Sequence, residues 1–441
     1  LVASYSLIPL LKDKQKDALH RYQFLQKFLK ESKKFGAQRR ASEAKAINIS
    51  LENLSRNMGY SDVTRLIWNM ETALINEMKE YFEPKKLDDV DVYIKIDDLG
   101  QSEIIYEKAG KELKSLPTKL KKDKYIEAIK EVHKNLKEQY RRSRKMLEEA
   151  MEDGTEFYGY EIENLMTNPV IAPILKSLVF KMGNDLGYYV DKKLKSVKKK
   201  SVAVKDDSLL KIAHCFDLFE SGDWSAYQKD IFDKELKQPF KQVFRELYVK
   251  TVDEKGRDKS LRYAGHQVQP SKTVALLKTR RWIIDGQEGL EKVYYKENII
   301  AKIFALADWF SPADIEAPTL EEVQFFDRKT FKPILIDEVP DLIFTEVMRD
   351  IDLVVSVAHI GDVDPENHAL IKGERAEYSI HLGSGLVHQK AGSAINVLPV
   401  HSQHRGRVFL PFIDDDPKTA EIMAKVLLFA QDDKIKDVFI L

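Results

Sequence analysis

The side chains with the most varied chemistry gather in the last ninety residues. Six of the ten histidines lie there, and His401, His404, Arg405 and Arg407 share one polar stretch between two apolar segments. His381 precedes a short Gly-Ser-Gly turn. Imidazole and guanidinium groups are hydrogen-bond donors that together suit an oxyanion. We therefore predict that these five residues form a pocket for an anion such as phosphate or a carboxylate.

Other roles for this polar stretch stay open. Its side chains could instead bind backbone carbonyls or the acidic triplet 414–416, which also suits the start of a helix. Zinc would need a thiolate or carboxylate beside His401 and His404, and no thiolate lies near them in the sequence. The glycine turn leads into a strand, so neither a phosphate-binding loop nor a serine nucleophile is expected. We expect no metal and no cofactor, and whether the protein is an enzyme stays open.

A second set of candidates is Arg245, Glu246 and His266, in structural or ligand-orienting roles. Residues 238–248 carry apolar side chains at helical spacing after Pro239, a residue that suits the first turn of a helix. Arg245 and Glu246 would lie beside the apolar face, either as a buried pair or with the arginine directed into a ligand pocket. We expect His266 to be structural.

Two further motifs offer weaker chemistry. Asp350 and Asp352 would lie on one face of a strand and could hold a divalent ion, but no matching acid and lysine pattern accompanies them. Cys215 is the single cysteine and cannot form an internal disulfide, which is typical of a reducing compartment. We expect it to be a buried thiol without a catalytic role.

Lysine is unusually dense in one segment, since six of the nine residues from Lys192 to Lys200 are lysine. We expect a mobile loop. Contact with nucleic acid is possible there, but it would be weak and blind to sequence because no aromatic residue is interleaved with the lysines. The chain as a whole has 71 basic and 71 acidic residues, so no overall field attracts it to nucleic acid or acidic lipid.

The elements that position these residues indicate an α+β protein. Helical periodicity with an N-cap at Asp62 predicts a helical region over residues 1–90. Residues 91–208 predict a hairpin and a long charged helix over 119–152, and residues 209–349 an α/β domain. For residues 350–441 we expect a last α/β domain with a small, mainly antiparallel sheet and a C-terminal helix over 418–430.

The composition places the chain among ordinary globular proteins. Of its 441 residues, 43% are hydrophobic and 32% charged, which excludes disordered, collagenous and disulfide-rich classes. No apolar run approaches the roughly 18 residues of a membrane span, so no membrane partner is expected. The chain starts at Leu1 without a signal peptide, which indicates a cytoplasmic protein and a piece of a longer polypeptide.

Several distant segments resemble, in order, the C-terminal half of a bacterial family of domains of unknown function. They include residues 212–224, 238–248, 263–266, 344–353, 378–385 and 401–441. Large members of that family often carry a tryptophan-glycine-arginine module, and one relative is named a molybdate metabolism regulator. The resemblance implies the regulatory or interaction module of a larger cytoplasmic bacterial protein, with the rest of that polypeptide or another protein as partner. The alternatives are an enzyme that uses the His/Arg pocket and a weak nucleic-acid-binding module.

Overall fold

A computed structural model describes residues 2–285, 289–306 and 318–358, and beyond them the backbone of five short strands between residues 368 and 408. The chain forms two compact units. The first unit comprises Leu1–Ala213 and Glu235–Lys241, and the second comprises His214–Lys234 and Gln242–Leu441. The four segments expected from the sequence divide the chain more finely and stay a prediction.

The first unit begins with three helices. They are α1 (Lys14–Ser32), α2 (Ala37–Met58) and α3 (Val63–Glu77). Their apolar faces meet in a core that includes Tyr22, Leu25, Leu54 and Leu66. Asp62 caps α3 by accepting a hydrogen bond from the backbone N–H of Arg65 at 2.8 Å, which supplies an acceptor to the first turn. The predicted helical region is confirmed.

A four-stranded antiparallel sheet follows, in the order β1-β2-β3-β4. The strands are β1 (Lys85–Leu87), β2 (Val90–Ile96), β3 (Ser102–Lys108) and β4 (Lys111–Glu112). The predicted hairpin is β2–β3, with Tyr93 opposite Ile105. The predicted long helix is α4 (Lys124–Glu152), whose apolar stripe joins Ile126, Ile129 and Leu136 to the core under this sheet.

A second antiparallel sheet of the first unit has the order β5-β10-β6-β7-β8-β9. Its elements, with two helices, are β5 (Glu156–Tyr158), α5 (Gly159–Met166), α6 (Ile171–Lys176), β6 (Val179–Met182), β7 (Asp185–Val190), β8 (Lys193–Lys195), β9 (Ser201–Ala203) and β10 (Leu209–Ile212). In the lysine-rich segment, Lys193 and Lys195 lie in strand β8 of the β8–β9 hairpin and residues 196–200 form its turn, so the loop expected from the sequence covers only part of the segment. Leu194 is buried while the lysines on either side of it are exposed, and this short alternation fixes the strand.

The second unit is built on the antiparallel sheet β12-β16-β15-β14-β13. Helix α10 supplies Phe344, Val347 and Ile351 to the core that it shares with the sheet residues Ala301 and Phe325. The elements up to that helix are α7 (Cys215–Glu220), α8 (Trp224–Asp233), β11 (Leu247–Tyr248), β12 (Lys259–Ser260), α9 (Pro270–Thr279), β13 (Ile283–Asp285), β14 (Gly289–Tyr294), β15 (Ile299–Leu306), β16 (Thr319–Asp327) and α10 (Asp341–Ala358).

The last described strands include a small antiparallel sheet, β17-β18-β19-β20, as predicted. These strands are β17 (His368–Lys372), β18 (Glu377–His381), β19 (Leu386–Gln389) and β20 (Ser393–Ile395), followed by β21 (Arg407–Val408), which pairs with β11. The helix predicted over residues 418–430 lies outside the described residues. The α+β class is confirmed.

Two predicted elements are wrong. Residues 238–248 form turns that end in β11 rather than a helix. The carbonyl of Val243 accepts hydrogen bonds from the side chains of Trp224 and Gln228, at 2.6 and 3.5 Å. The indole thus occupies the acceptor that a helix would offer to the backbone N–H four residues later. Asp350 and Asp352 lie in helix α10, not in a strand, so they do not share one face.

Candidate functional site

The structure describes only backbone positions of the predicted His/Arg pocket. His381 ends β18, and Arg407 begins β21. His401, His404 and Arg405 lie outside the described residues. The anion pocket therefore stays a prediction.

Arg245 lies in the second unit, at the centre of a buried ionic network. Its Nε donates to Oε1 of Glu346 at 2.7 Å and its Nη2 to Oε2 at 2.6 Å. The two side chains are 0% and 1% exposed. Such a bidentate pair fixes the guanidinium in one plane. Arg245 thus pairs with a residue 101 positions away.

His214 completes this network. Its Nε2 lies 2.8 Å from Oε1 of Glu346, and its Nδ1 accepts a hydrogen bond from the backbone N–H of Phe216 at 3.1 Å. Because Nδ1 accepts, the proton of a neutral imidazole sits on Nε2 and is donated to the carboxylate. His214 therefore caps α7 with one nitrogen and binds α10 with the other.

Burial determines the charge state of these groups. It disfavours the charged imidazole and lowers the pKa of His214 below its usual value, despite the nearby Glu346 carboxylate. Burial also opposes ionisation of Glu346, but the charge and hydrogen bonds of Arg245 outweigh it and hold the pKa of Glu346 well below its usual range. At neutral pH the network is thus an Arg245–Glu346 ion pair with a neutral histidine.

Glu246 and Cys215 lie next to this network. Glu246 accepts a hydrogen bond from Nε of Arg349 at 3.0 Å, so it links the turn after α8 to helix α10. The Sγ of Cys215 lies 3.8 Å from the carbonyl oxygen of Glu246. Burial raises the pKa of the Cys215 thiol far above neutrality, which disfavours the thiolate. The predicted buried position of this cysteine is confirmed.

Asp350 and Asp352, both in α10, accept hydrogen bonds from different residues. Asp350 accepts hydrogen bonds from Nε1 of Trp282 at 2.9 Å and from Nζ of Lys292 at 2.8 Å. Both donors bind Oδ2, and Nη1 of Arg280 lies 3.1 Å from Oδ1, so the carboxylate is paired with cationic side chains of the protein. Within the described residues, no group of three or more His, Cys, Asp or Glu side chains is placed to hold a metal ion.

Asp352 binds two phenols and lies in the same unit as His266. It accepts hydrogen bonds from the hydroxyls of Tyr248 at 2.7 Å and Tyr263 at 3.2 Å. His266 is fully buried, with its ring 6.2 Å from that of Tyr263. Arg245 and His266 are buried and Glu246 is partly buried, and their structural or ligand-orienting roles stay a prediction. The network holds elements together and presents no exposed nucleophile.

The sequence analysis missed a cleft in the first unit. It has a volume of about 530 Å³ and lies between α1 and α4, with residues of α3 at its base. It is lined by Tyr22, Gln23, Gln26, Lys27, Lys30, Glu31, Lys34, Glu71, Leu74, Met78, Glu131, Asn135, Glu138, Gln139 and Arg142.

The floor of the cleft is a preformed polar network. The hydroxyl of Tyr22 donates to Oε1 of Glu71 at 2.5 Å, and Arg142 donates to the same oxygen from Nε at 3.1 Å and Nη2 at 2.7 Å. The side chain of Glu71 is 3% exposed, whereas that of Arg142 is 32% exposed. Burial, and then the Glu71 charge, raise the pKa of Tyr22 well above its usual value. Tyr22 therefore remains a phenol and a hydrogen-bond donor.

An ion pair crosses the rim. Nζ of Lys30, on α1, lies 2.8 Å from Oε1 of Glu131, on α4. This hydrogen bond is the main reason why the pKa of Lys30 is raised and the pKa of Glu131 is lowered. In all, the lining carries four cationic side chains, four carboxylates and four carboxamides. It contains no His, Cys, Ser or Thr.

A weak signal for this cleft exists in the sequence. Gln23, Gln26, Lys27, Lys30 and Lys34 recur at intervals of three and four, which places them along one side of α1. Such a polar stripe is also what a solvent-exposed helix face shows. The packing of α1 and α4 distinguishes the two cases, and the sequence of either helix alone does not.

The described residues form an α+β protein with a polar cleft in its first unit. Within that described part, no helix combines the length and the hydropathy that crossing a bilayer requires.

Three family models match successive parts of the chain. A family of unknown function (DUF5724) matches residues 1–70, a domain of unknown function (DUF4132) residues 110–282, and another (DUF7737) residues 353–441. These matches support the resemblance to domains of unknown function and a multidomain chain. They include no molybdate regulator and no tryptophan-glycine-arginine module. No curated protein and no solved structure matches the chain.

Proposed function

We propose that this chain is a binding module, the regulatory or interaction part of a larger cytoplasmic bacterial protein, and that the cleft between α1 and α4 is its ligand site. The observation that carries the proposal is the polar floor formed by Tyr22, Glu71 and Arg142. A buried carboxylate is expensive unless it is paired, and apolar residues of similar volume commonly serve a core as well or better. A polar floor that opens into a cleft is better explained by recognition.

The lining indicates the class of ligand. Arg142 is bound to Glu71 through two donors, yet a third of its side chain remains exposed where it lines the cleft. Cations and carboxylates are equal in number, and Leu74 and Met78 add a small apolar surface. The volume lies in the usual range for small-molecule sites, about 300–1,000 Å³. We propose a zwitterionic ligand of the amino acid or short peptide class.

The test fills the cleft without disturbing its floor. Amino acids, dipeptides, inorganic phosphate and neutral sugars are screened by the shift they cause in melting temperature, and hits are titrated by calorimetry. Gln26→Trp and Asn135→Trp place bulk in the lining, and Lys137→Trp, at an exposed position of α4, is the matched control.

The expected result is that a zwitterionic compound binds the wild type and the Lys137→Trp variant, and that both filled variants lose it. The proposal is overturned if no zwitterion in the panel binds the wild type, or if the filled variants bind as tightly as the control.

The His/Arg pocket is a second proposal, favoured by one pairing. In the pairing of β21 with β11, Arg407 lies opposite Tyr248. Tyr248 follows Arg245 by three residues in the sequence. An anion-binding function there, regulatory or enzymatic, is tested by titrating phosphate and molybdate against the wild type and the His404→Ala and Arg405→Ala variants. Binding that is equal in all three proteins, or absent from the wild type, refutes it.

A further inference from the structure

Two tyrosines are stacked on the surface of the first unit. Tyr158 ends β5 and Tyr160 lies in the first turn of α5, with 42% and 54% of their surfaces exposed. Their ring centroids are 5.5 Å apart and the ring planes differ by 13°. Leu209, directly opposite Tyr158 on β10, is also 44% exposed. Large exposed aromatic surfaces are more common at binding sites than elsewhere on proteins.

A rigid backbone holds this pair. Gly159 lies between the tyrosines, and a Cβ at its position would be 2.1 Å from the carbonyl oxygen of Lys205. The N–H of Gly159 donates to Ser208 at 2.9 Å, and the N–H of Tyr160 donates to the carbonyl of Asp206 at 3.2 Å. The two rings are thus mounted on a close contact between two chain segments that only glycine allows.

The lysine-rich hairpin begins beside the same contact. The carbonyl of Lys192 accepts a hydrogen bond from the N–H of Val204 at 2.8 Å. The Nζ of Lys192 lies 4.0 Å from Oδ1 of Asp206. Asp206 therefore touches both Tyr160 and Lys192. Between residues 181 and 211 the chain has nine lysines and four aspartates and no other Asp, Glu, Lys, Arg or His, a formal net charge of +5 in a chain whose total is zero.

We infer that this surface binds single-stranded nucleic acid without sequence preference. Bases that are not paired in a duplex can stack on aromatic rings, while lysines track the phosphates. The sequence shows no aromatic residue within the lysine run, but the fold supplies two from a preceding segment.

Neighbouring acids limit the strength of this binding. Lys192 is also 3.9 Å from a carboxylate oxygen of Glu163, and Lys195 and Lys200 form ion pairs with Asp191 and Asp185. Phosphate binding must compete with these pairs. We therefore expect binding that weakens steeply with salt, with a slope of roughly −0.7 per phosphate contacted in a plot of log affinity against log salt concentration.

The test measures fluorescence anisotropy of a labelled single-stranded oligothymidine with the complete chain across a salt series. Two double variants separate stacking from charge. Tyr158→Ala with Tyr160→Ala should weaken binding about tenfold or more with little change in the salt slope. Lys198→Gln with Lys199→Gln should instead lower the magnitude of the slope by about 1.4, which corresponds to two lost phosphate contacts.

Conservative variants serve as controls. Tyr158→Phe with Tyr160→Phe keeps the rings and should bind like the wild type, and circular dichroism of the alanine variant checks that it folds. Tyr295→Ala removes an exposed tyrosine of the second unit and should change nothing. The inference is overturned if the wild type fails to bind at low salt, if the alanine variant binds as well as the phenylalanine variant, or if duplex DNA or vesicles of phosphatidylserine bind as tightly as the single strand.

Discussion

Replacing Glu346 by alanine should destabilise the second unit by about 3–5 kcal/mol, the usual cost of removing one partner of a buried ion pair. The substitution leaves the guanidinium of Arg245, which is 0% exposed, without its bidentate counter-ion. It also removes the acceptor of His214 Nε2. Because domains are stable by only about 5–15 kcal/mol, this loss is a large share of the total.

The assay is equilibrium unfolding in urea, followed by tryptophan fluorescence and circular dichroism. Two variants complete the comparison. Arg245→Met combined with Glu346→Leu removes both charges and fills the space, and should recover most of the stability, since apolar replacements of buried pairs are often neutral or better. Glu322→Ala breaks the partly exposed pair with Lys259 in the same unit and should have a much smaller effect.

The reasoning is refuted if the single Glu346→Ala variant unfolds within about 1 kcal/mol of the wild type, or if the double variant is no more stable than the single one. The first result would mean that water or a neighbour replaces the carboxylate. The second would mean that the loss came from packing or from the lost acceptor of His214, and not from the unpaired charge of Arg245.

Three more predictions follow from buried groups and close contacts. Burial lowers the pKa of folded His214 below its unfolded value of about 6.5, so the unfolded chain binds more protons in that window. The contribution of His214 to the free energy of unfolding should therefore be fully present above pH 6.5 and fall as the pH drops towards the folded pKa. The measurement is urea unfolding at a series of pH values. The His214→Asn variant, which keeps a cap acceptor, should show a smaller fall. Cys215 should react with a thiol reagent at neutral pH far more slowly in the native protein than in urea, and rapid native reaction would contradict its burial. Gly187→Ala should lower the melting temperature because its Cβ would lie 2.8 Å from the backbone of Lys195, whereas Gly36→Ala, with open space around it, is the control.

The elements that were predicted correctly from the sequence are those whose structure is decided by residues within or next to the element. Helix α4 and the β2–β3 hairpin follow from periodicities of 3.6 and 2, and α3 begins where Asp62 supplies a cap. The helix prediction for residues 238–248 was wrong because their apolar spacing fits a helix, while the hydrogen bond that decides their structure comes from the side chain of Trp224. That donor lies outside any local window.

The candidate sites were harder to predict because their groups meet over long distances in the chain. Arg245 was singled out, but its partner Glu346 is 101 residues away and sits in an apolar helix with no visible sign of pairing. The cleft combines Tyr22, Glu71 and Arg142 from three helices. Each of these residues is ordinary in its own segment, and only tertiary packing makes them a site.

The charged side chains of helix α10 also govern how the second unit opens. Glu346, Asp350 and Asp352 fasten the helix to separate partners, among them Arg245, Lys292 and Tyr248. A partial rotation or fraying that freed one carboxylate would leave a buried cation or phenol without its acceptor. Small local fluctuations of α10 are therefore costly, and its backbone amides should exchange with solvent deuterium mainly through concerted unfolding of the unit. The ionic residues make this helix a single cooperative element with the sheet and the turns that hold their partners.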